Sequence, residues 1–511
     1  MYVDVGLDKQ AADLSGDRVA VRERMYGADD PRVAEALVDQ VNAIDSTTEA
    51  NRAGALLARA RRIVDRSPAA TTELRLRVVF AQAQITRYTD TSASLAFVQQ
   101  ARALMRQTGT AGDAMRRALY LEGLTLGFVG ACGEGLQRVE EAHRISLASE
   151  GPKQQWHIPE TTAIASNAIC IGDYARAEAA LQEGLELSRR LNGPDHIDTT
   201  HVLLRLMRVY GETSRAAEAS AIDARLRSLS DSPAVQHSAN LNTTLLRALT
   251  LRAWETGRLD DADAFSARMV EAYRGFTGAS TVLATALQTR GRIVGATGRL
   301  DDATRVLDEA LAMQRRALGA RATPAALAPA RIDRAAVALW AGRPAEALAL
   351  TEAVAAELPA DAAETRPLAP LVARWRAAAL RETGHAAEAD AAAQAGLQAM
   401  QPPLRAGDLP TLRADLLLER GLALHAMSRF ADARDMLAAA LALRTASDDP
   451  ASVWRARVEL AQADTLAALG DRRGARDLGD GARQRLASVS AVAPSLLRSP
   501  SGSPANERRQ P

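Results

Sequence analysis

Hydrophobic residues along this chain recur at the three- and four-residue spacing of helices that bury one face. Between residues 175 and 191, the apolar positions are Ala177, Ala180, Leu181, Leu185, Leu187 and Leu191. This spacing predicts an amphipathic helix. Further helical segments, such as residues 201–210 and 281–297, precede short turns that a second helical segment follows. The pattern therefore predicts an all-α protein built from helical hairpins.

The turns of these hairpins repeat at a nearly constant interval. Each copy has a Gly or another small residue, then four positions, then Ala, Gly or Ser. The copies begin at Gly6, Thr48, Thr89, Gly130, Gly172, Gly211, Gly257, Gly298, Gly342, Gly384, Ser428 and Gly470. From Gly6 to Gly470 there are eleven intervals, so the mean period is about 42 residues. Such a period indicates repeats that stack on their neighbours.

The residue types at each turn have the same physical roles from one repeat to the next. Gly suits a tight turn between two helices because a positive φ costs other residues more. The small residue five positions later lets the second helix approach the first closely. Acidic residues after the turn, such as Asp260 and Asp261, lie where the dipole of the second helix favours negative charge. The signature therefore predicts closely packed helical pairs.

These features resemble tetratricopeptide repeats of the long, kinesin-light-chain-like type. The linkers between hairpins carry the resemblance further: residues 26–34 read YGADDPRVA and residues 191–200 read LNGPDHIDTT. HEAT and armadillo repeats have similar periods, so the period alone leaves them open, whereas the turn signature favours tetratricopeptide repeats. The resemblance implies a right-handed α-α superhelical solenoid of about twelve helix-turn-helix repeats over residues 1–488.

The two ends of the chain depart from the repeat. Only five residues precede Gly6, so we expect that the first repeat is truncated and that the chain belongs to a longer polypeptide or lacks its true start. Residues 489–511 are rich in Ser and Pro, and we expect a disordered tail there. Long arrays of this kind resemble the C-terminal repeat region of bacterial serine/threonine protein kinases. A Gly-rich phosphate loop, H-R-D and D-F-G are all missing from the sequence.

Composition narrows the class of protein. The chain has 63 Lys and Arg against 62 Asp and Glu, so a polybasic nucleic-acid clamp is excluded. Only Lys9 and Lys153 are lysines, an arginine bias typical of a high-GC bacterial genome. Neither a signal peptide nor a membrane-spanning run is visible. We therefore expect a soluble, cytoplasmic protein.

The sequence offers little for catalysis or cofactor binding. Seven histidines follow no metal-ligand spacing, and hydrolase and nucleotide-binding motifs are missing. We therefore expect no metal, no cofactor and no enzymatic activity. Cys132 and Cys170 lie at turns of adjacent repeats and can be neighbours. Burial as small hydrophobic residues is the favoured interpretation, and redox coupling stays open.

The family resemblance implies a concave groove lined by the first helix of each repeat. Its groove positions, transferred to this sequence, are His201, Arg205, Arg208, Arg247, Trp254, Gln288, Arg292, Trp340, Arg374 and Arg381. Arginines there can bind a carboxylate through two hydrogen bonds, and tryptophans can pack against a side chain of the ligand. An acidic peptide or a C-terminal carboxylate is therefore one expected ligand. The alternative is a solvated arginine face with partly buried tryptophans.

We therefore expect a non-catalytic scaffold that binds a protein or peptide, with no nucleic-acid or membrane partner. The first alternative is the sensory or docking region of a serine/threonine kinase whose catalytic domain is not in this chain, so that an upstream kinase domain, or another N-terminal partner, covers the truncated first repeat. The second is a peptide-sensing signalling regulator. The sequence does not identify the partner.

Overall fold

The structure is a computed structural model in which all regular elements are helices. It describes residues 8–44, 50–86, 91–128, 131–150, 156–213, 215–232, 235, 239–276, 281–318, 322–358, 368–400 and 410–497. Across these ranges there are α-helices, one 3-10 helix (Pro494–Leu497) and no strands. The prediction of an all-α repeat protein is confirmed. Residues 1–7, where we expected the truncated repeat, lie outside the described ranges.

The helices alternate between first and second members of a repeat, with even numbers for first helices. Their bounds are α1 Asp8–Tyr26, α2 Pro31–Ala43, α3 Ala50–Arg66, α4 Thr72–Thr86, α5 Thr91–Thr108, α6 Asp113–Phe128, α7 Cys132–Glu150, α8 His157–Cys170, α9 Tyr174–Leu191, α10 Ile197–Glu212, α11 Ala216–Ser230, α12 Ala239–Glu255, α13 Leu259–Phe276, α14 Thr281–Ala296, α15 Leu300–Leu318, α16 Pro324–Trp340, α17 Pro344–Glu357, α18 Ala369–Glu382, α19 Ala386–Ala399, α20 Pro410–Ala426, α21 Phe430–Ser447, α22 Val453–Ala468 and α23 Arg472–Leu486.

The turns follow the predicted signature at most positions. The glycines have positive φ angles between 73° and 90° at Gly172, Gly257, Gly298, Gly342, Gly384 and Gly470. The alanine five positions after the turn is buried in most of these repeats, as at Ala262 and Ala303, both 0% exposed. The small residue therefore does let the paired helices approach closely.

One predicted turn is wrong. Helix α10 continues through Gly211 to Glu212, and the fully buried alanine of the second helix is Ala219 rather than Ala216. The register of this repeat is therefore displaced by three residues. Gly211 is compatible with a helix interior, so a glycine alone did not fix where the helix ends.

In linkers between repeats, an N-cap residue precedes the first helix of the following repeat. The Asp30 carboxylate accepts a hydrogen bond from the Arg32 backbone N–H (2.8 Å), and Pro31 occupies the first helical position. Thr323 and Pro324 do the same before α16. Pro is favoured there because its missing N–H is not needed in the first turn.

The chain divides into two compact units. Unit 1 comprises Met1–Val209 and Ala224–Asn242, and unit 2 comprises Tyr210–Asp223 and Thr243–Pro511. Unit 1 has a core of stacked aliphatic side chains such as Val33, Leu37 and Leu57. Unit 2 has a larger core that includes tryptophans from four different first helices.

Candidate functional site

The first helices of successive repeats lie side by side in both units. In unit 2, α14 contacts α16, α16 contacts α18, and α18 contacts α20, while in unit 1 the helices α2, α4, α6 and α8 follow the same arrangement. The first helices α2, α4, α6 and α8 of unit 1, and α14, α16, α18, α20 and α22 of unit 2, also contact the second helix of their own repeat. We call the side formed by the first helices the inner face. The residues that the sequence predicts for the groove lie on first helices.

Arginines of the predicted groove in unit 2 are paired with acids of the following repeat. Arg374 on α18 lies 2.8 Å from a carboxylate oxygen of Asp415 on α20. Arg381 lies 3.3 Å from Glu419, also on α20. Both acids are almost fully buried. These guanidinium groups therefore connect neighbouring repeats instead of offering a free charge to a ligand.

A similar contact joins α14 to α16, two repeats earlier in the chain. The amide of Gln288 donates to the Asp333 carboxylate (2.8 Å), and Arg292 lies 3.6 Å from the other oxygen of that group. Burial raises the pKa of Asp333, although Arg292 opposes the shift. The Arg292 guanidinium also lies over the ring of Trp254, 4.8 Å from its centroid. Gln288 and Arg292 thus meet at Asp333, an acid of the chain itself.

The predicted tryptophan anchors belong to a buried aromatic cluster. Trp340 is 5% exposed and packs edge-on against Trp375, with ring centroids 5.5 Å apart. Trp254 is partly buried and packs edge-on against Trp454 at 4.8 Å. The indole N–H of Trp454 donates to the Trp254 carbonyl oxygen (2.6 Å). The aromatic rings therefore build the core of unit 2.

This cluster closes unit 2 on itself. The backbone N–H of Asp449 donates to the Thr256 carbonyl (3.1 Å), and that of Val453 donates to the Gly257 carbonyl (3.2 Å). The linker before α22 therefore packs on the turn after α12, five repeats earlier. Local periodicity gives no signal for this contact because it joins residues almost 200 positions apart.

Residues 488–497, which we call the C-terminal segment, pack along three successive turns of unit 2. The Ser490 hydroxyl donates to Asp260 (2.9 Å), and the Ala493 backbone N–H donates to the Ala296 carbonyl (2.8 Å). The Ser495 hydroxyl donates to the Trp340 carbonyl (2.7 Å). Residues 489–497 are thus ordered, in contrast to the disordered tail expected from residue 489, because Ala493 and Leu496 are buried. Residues 498–511 lie outside the described ranges.

Arg247 differs from the other predicted groove arginines of unit 2. It is exposed, and within the described part of the chain it has no hydrogen bond or ion pair. It borders a small surface cavity of about 170 Å³ between α12, α13 and α14. The lining residues are Arg247, Met269, Tyr273, Val282, Thr285, Ala286 and Thr289. One cation, hydroxyl groups and apolar walls thus share one cavity.

The remaining predicted groove residues lie in unit 1. The Arg205 guanidinium donates to the Ser166 hydroxyl on α8 (3.3 Å) and to the His201 carbonyl (3.1 Å). Arg208 is exposed one turn further along α10. Burial, with a smaller effect of Arg205, lowers the pKa of His201 to about 4, so its ring is neutral near pH 7. The structure thus brings His201, Arg205 and Ser166 together.

Sequence reasoning missed a buried ionic cluster in unit 1. Glu160 is 0% exposed and accepts hydrogen bonds from Arg116 (2.8 Å) and from Nδ1 of His143 (3.1 Å). The other ring nitrogen of His143 lies 3.4 Å from Glu183. Burial opposes the charged form of His143, but the two carboxylates outweigh it and raise its pKa to about 9. No short motif marks this cluster.

This raised pKa predicts that unit 1 loses stability in mild base. A histidine whose pKa is higher in the folded than in the unfolded state stabilises the fold below the unfolded value near 6.5, and this contribution disappears as pH rises through 9. We expect a loss of about 3 kcal/mol between pH 6.5 and 9.5 that His143→Gln does not show. Urea unfolding of both proteins at the two pH values measures it. Equal pH dependence in His143→Gln and an exposed-site control, His385→Gln, would contradict the assignment.

The two cysteines form a disulfide in unit 1. Cys132 begins α7, Cys170 ends α8, and their Cα atoms are 6.0 Å apart. The favoured interpretation of two separate buried thiols is therefore wrong, although the neighbouring positions were visible from the repeat. The bond links adjacent repeats across one period.

The described residues hold no group of three or more His, Cys, Asp or Glu side chains placed to bind a metal ion. None of their helices combines the length and the apolar character needed to cross a bilayer.

Comparison with known proteins agrees with the repeat. Residues 163–198 and 282–324 match the tetratricopeptide repeat family, and no curated protein matches the chain. The chain is similar to the structure of the APC/C hetero-tetramer Cut9-Hcn1 (TM-score 0.41, 14% identity, 94% of this chain and 83% of that chain). It is also similar to a Rap protein complexed with Competence and Sporulation Factor (0.44, 11%, 70% and 100%). The two matched segments, together with the regular helical hairpins and their turn glycines, support the interpretation of these repeats as tetratricopeptide repeats.

Proposed function

We propose that this protein is a non-catalytic scaffold that binds a protein or peptide partner through the inner faces of its repeats. One observation carries the proposal: unit 2 holds the C-terminal segment by hydrogen bonds to backbone carbonyls and to one carboxylate. The donors are the backbone N–H of Ala493 and the hydroxyls of Ser490 and Ser495, so these acceptors suit a polypeptide ligand. A surface of this kind suits peptide recognition more than chemistry on a small molecule.

Three arginines with solvent-accessible side chains indicate where a partner binds, of which Arg208 and Arg247 are exposed and Arg205 is half-buried. In unit 2, Arg247 borders the cavity with Tyr273 and Thr285. In unit 1, Arg205 and Arg208 lie on α10, next to Ser166 on α8. A guanidinium group at such a place can bind a carboxylate through two hydrogen bonds. We therefore assign the partner an acidic side chain or a C-terminal carboxylate at these arginines.

The triple variant Arg205→Ala, Arg208→Ala, Arg247→Ala tests the proposal. A partner isolated by affinity capture and then purified is titrated against wild type and variant by calorimetry. We expect the variant to bind at least about tenfold more weakly, since each lost charge-assisted contact contributes on the order of 1 kcal/mol.

A second triple variant controls for the change in net charge. Arg305, Arg434 and Arg473 lie exposed on the second helices α15, α21 and α23, and their replacement by Ala should leave affinity within about twofold. If wild type and the first triple variant bind the partner with equal affinity, and circular dichroism is unchanged, the assignment of these arginines to the binding site is refuted. Equal loss in both variants would show a non-specific charge effect.

A further inference from the structure

Resting on the function proposed above, we propose that the C-terminal segment is an intramolecular ligand of unit 2. The site that it occupies accepts a peptide of the pattern Ser-x-x-Ala-x-Ser-Leu, as in Ser490, Ala493, Ser495 and Leu496. A partner with this pattern and the segment exclude each other. The segment thereby regulates access to the turn ends of the first helices in unit 2.

The acceptors that hold the segment include carbonyls at helix ends. The last carbonyls of a helix have no partner within the helix. Ala296 ends α14 and Trp340 ends α16, and the segment donates one hydrogen bond to each of their carbonyls. The repeat places such acceptors at the end of every first helix. A polypeptide crossing these ends at the right spacing can therefore satisfy one acceptor per repeat.

Two buried side chains set the chemical class of the ligand. Ala493 is 0% exposed, and its Cα lies 3.5 Å from where a Cβ on Gly298 would be. A larger side chain at that position of the ligand has no room. Leu496 is 2% exposed and belongs to the cluster that contains Trp340 and Trp454. The site thus requires a small residue and, three positions later, an aliphatic one.

Asp260 adds a requirement at the other end of the ligand. Its carboxylate accepts hydrogen bonds from both the backbone N–H (3.0 Å) and the hydroxyl of Ser490. Asp260 is in the first turn of α13, beside Asp261. Two carboxylates there favour a hydroxyl donor and disfavour an acidic residue at this ligand position.

The segment has the features of a displaceable ligand. Ser488, Ser490, Ala491 and Pro494 are exposed, so the contact is made by one side of a short stretch of chain. The segment begins two residues after the end of α23, which fixes one end of it close to the site. A tethered ligand competes at a high effective concentration. A free peptide therefore binds weakly unless a substitution prevents the tethered segment from occupying the site.

A labelled peptide provides the test. A synthetic peptide with the sequence of residues 486–497 is titrated, by fluorescence anisotropy, against the full-length protein and its Leu496→Asp variant. We expect the variant to bind the peptide at least about tenfold more tightly than wild type, because its own segment no longer fills the site. A peptide that itself carries Leu496→Asp should show no binding to either protein.

Two further variants make the result decisive. Ala491→Asp places the same charge on the exposed side of the segment and should bind the peptide as weakly as wild type. The double variant Ser490→Ala, Ser495→Ala removes only two hydroxyl donors, so it keeps the fold, and should bind about threefold more tightly than wild type. If neither this variant nor a folded Leu496→Asp gains affinity, the inference is wrong.

The test separates this inference from the proposed function. Peptide binding to Leu496→Asp involves no foreign partner, whereas the arginine variants are tested with one. Failure of the peptide test beside an arginine-dependent partner overturns only the inference. If the peptide binds as expected but the affinity of the partner does not depend on the arginines, the assignment of an acidic ligand is wrong. The inference of an intramolecular ligand is then retained.

Discussion

Arg444→Ala is expected to destabilise unit 2 by about 3–5 kcal/mol, the range for removal of one partner of a buried ion pair. The Arg444 side chain is 2% exposed and pairs with both Asp415 and Asp448. It also donates to the Thr411 and Glu255 carbonyls (3.2 and 3.4 Å), so it joins α21 to α20 and to the end of α12. Alanine leaves two buried carboxylates short of a partner.

Tryptophan fluorescence isolates this effect to unit 2. Four of the five tryptophans belong to unit 2, and only Trp156 is in unit 1. The urea midpoint of the fluorescence change therefore reports mainly on unit 2. Arg434→Ala, on the same helix and exposed, should move it by less than about 0.5 kcal/mol. Similar midpoints for wild type and Arg444→Ala would mean that the buried pairs contribute no net stability.

The repeat made much of the fold predictable from the sequence. Gly257 and Gly298 were recognisable as turn positions because a positive φ favours glycine, and both have one. Ala262 and Ala303 were recognisable as close-packing positions because only a small side chain fits there. These are local requirements, repeated every 42 residues or so, and local requirements leave a pattern in the sequence. Gly211 shows the limit, since a helix can also pass through a glycine.

The inner face was less predictable because its contacts are not local. Arg292 and Arg374 were read as ligand-binding groups, yet each pairs with an acid, Asp333 and Asp415, one period later in the chain. That spacing was a usable signal, since adjacent first helices bring such positions together. The pairing of Trp254 with Trp454 left no such signal, because it depends on how far unit 2 curves over five repeats. The C-terminal segment lies outside the repeat, so composition alone suggested disorder.

The closure of unit 2 predicts that two similar turn glycines respond differently to the same substitution. Gly257 and Gly342 have φ angles of 76° and 73°, so alanine at either strains the backbone by about 1–2 kcal/mol. A Cβ on Gly342 meets nothing within 4 Å. A Cβ on Gly257 would lie 2.8 Å from Cβ and 3.0 Å from Cα of Ser452. Since Ser452 precedes α22 and its backbone cannot yield easily, Gly257→Ala must open the closure.

We therefore expect Gly257→Ala to cost about 2–3 kcal/mol more than Gly342→Ala, the typical range for overpacking a tight contact. Tryptophan fluorescence during urea unfolding measures the difference. Gly257→Ala should also speed hydrogen exchange of the Val453 amide, which donates to the Gly257 carbonyl. The relief variant Ser452→Gly, combined with Gly257→Ala, should recover part of the loss, because it removes the side chain that the new Cβ meets. Equal costs at the two glycines would show that unit 2 is not closed at this turn in solution.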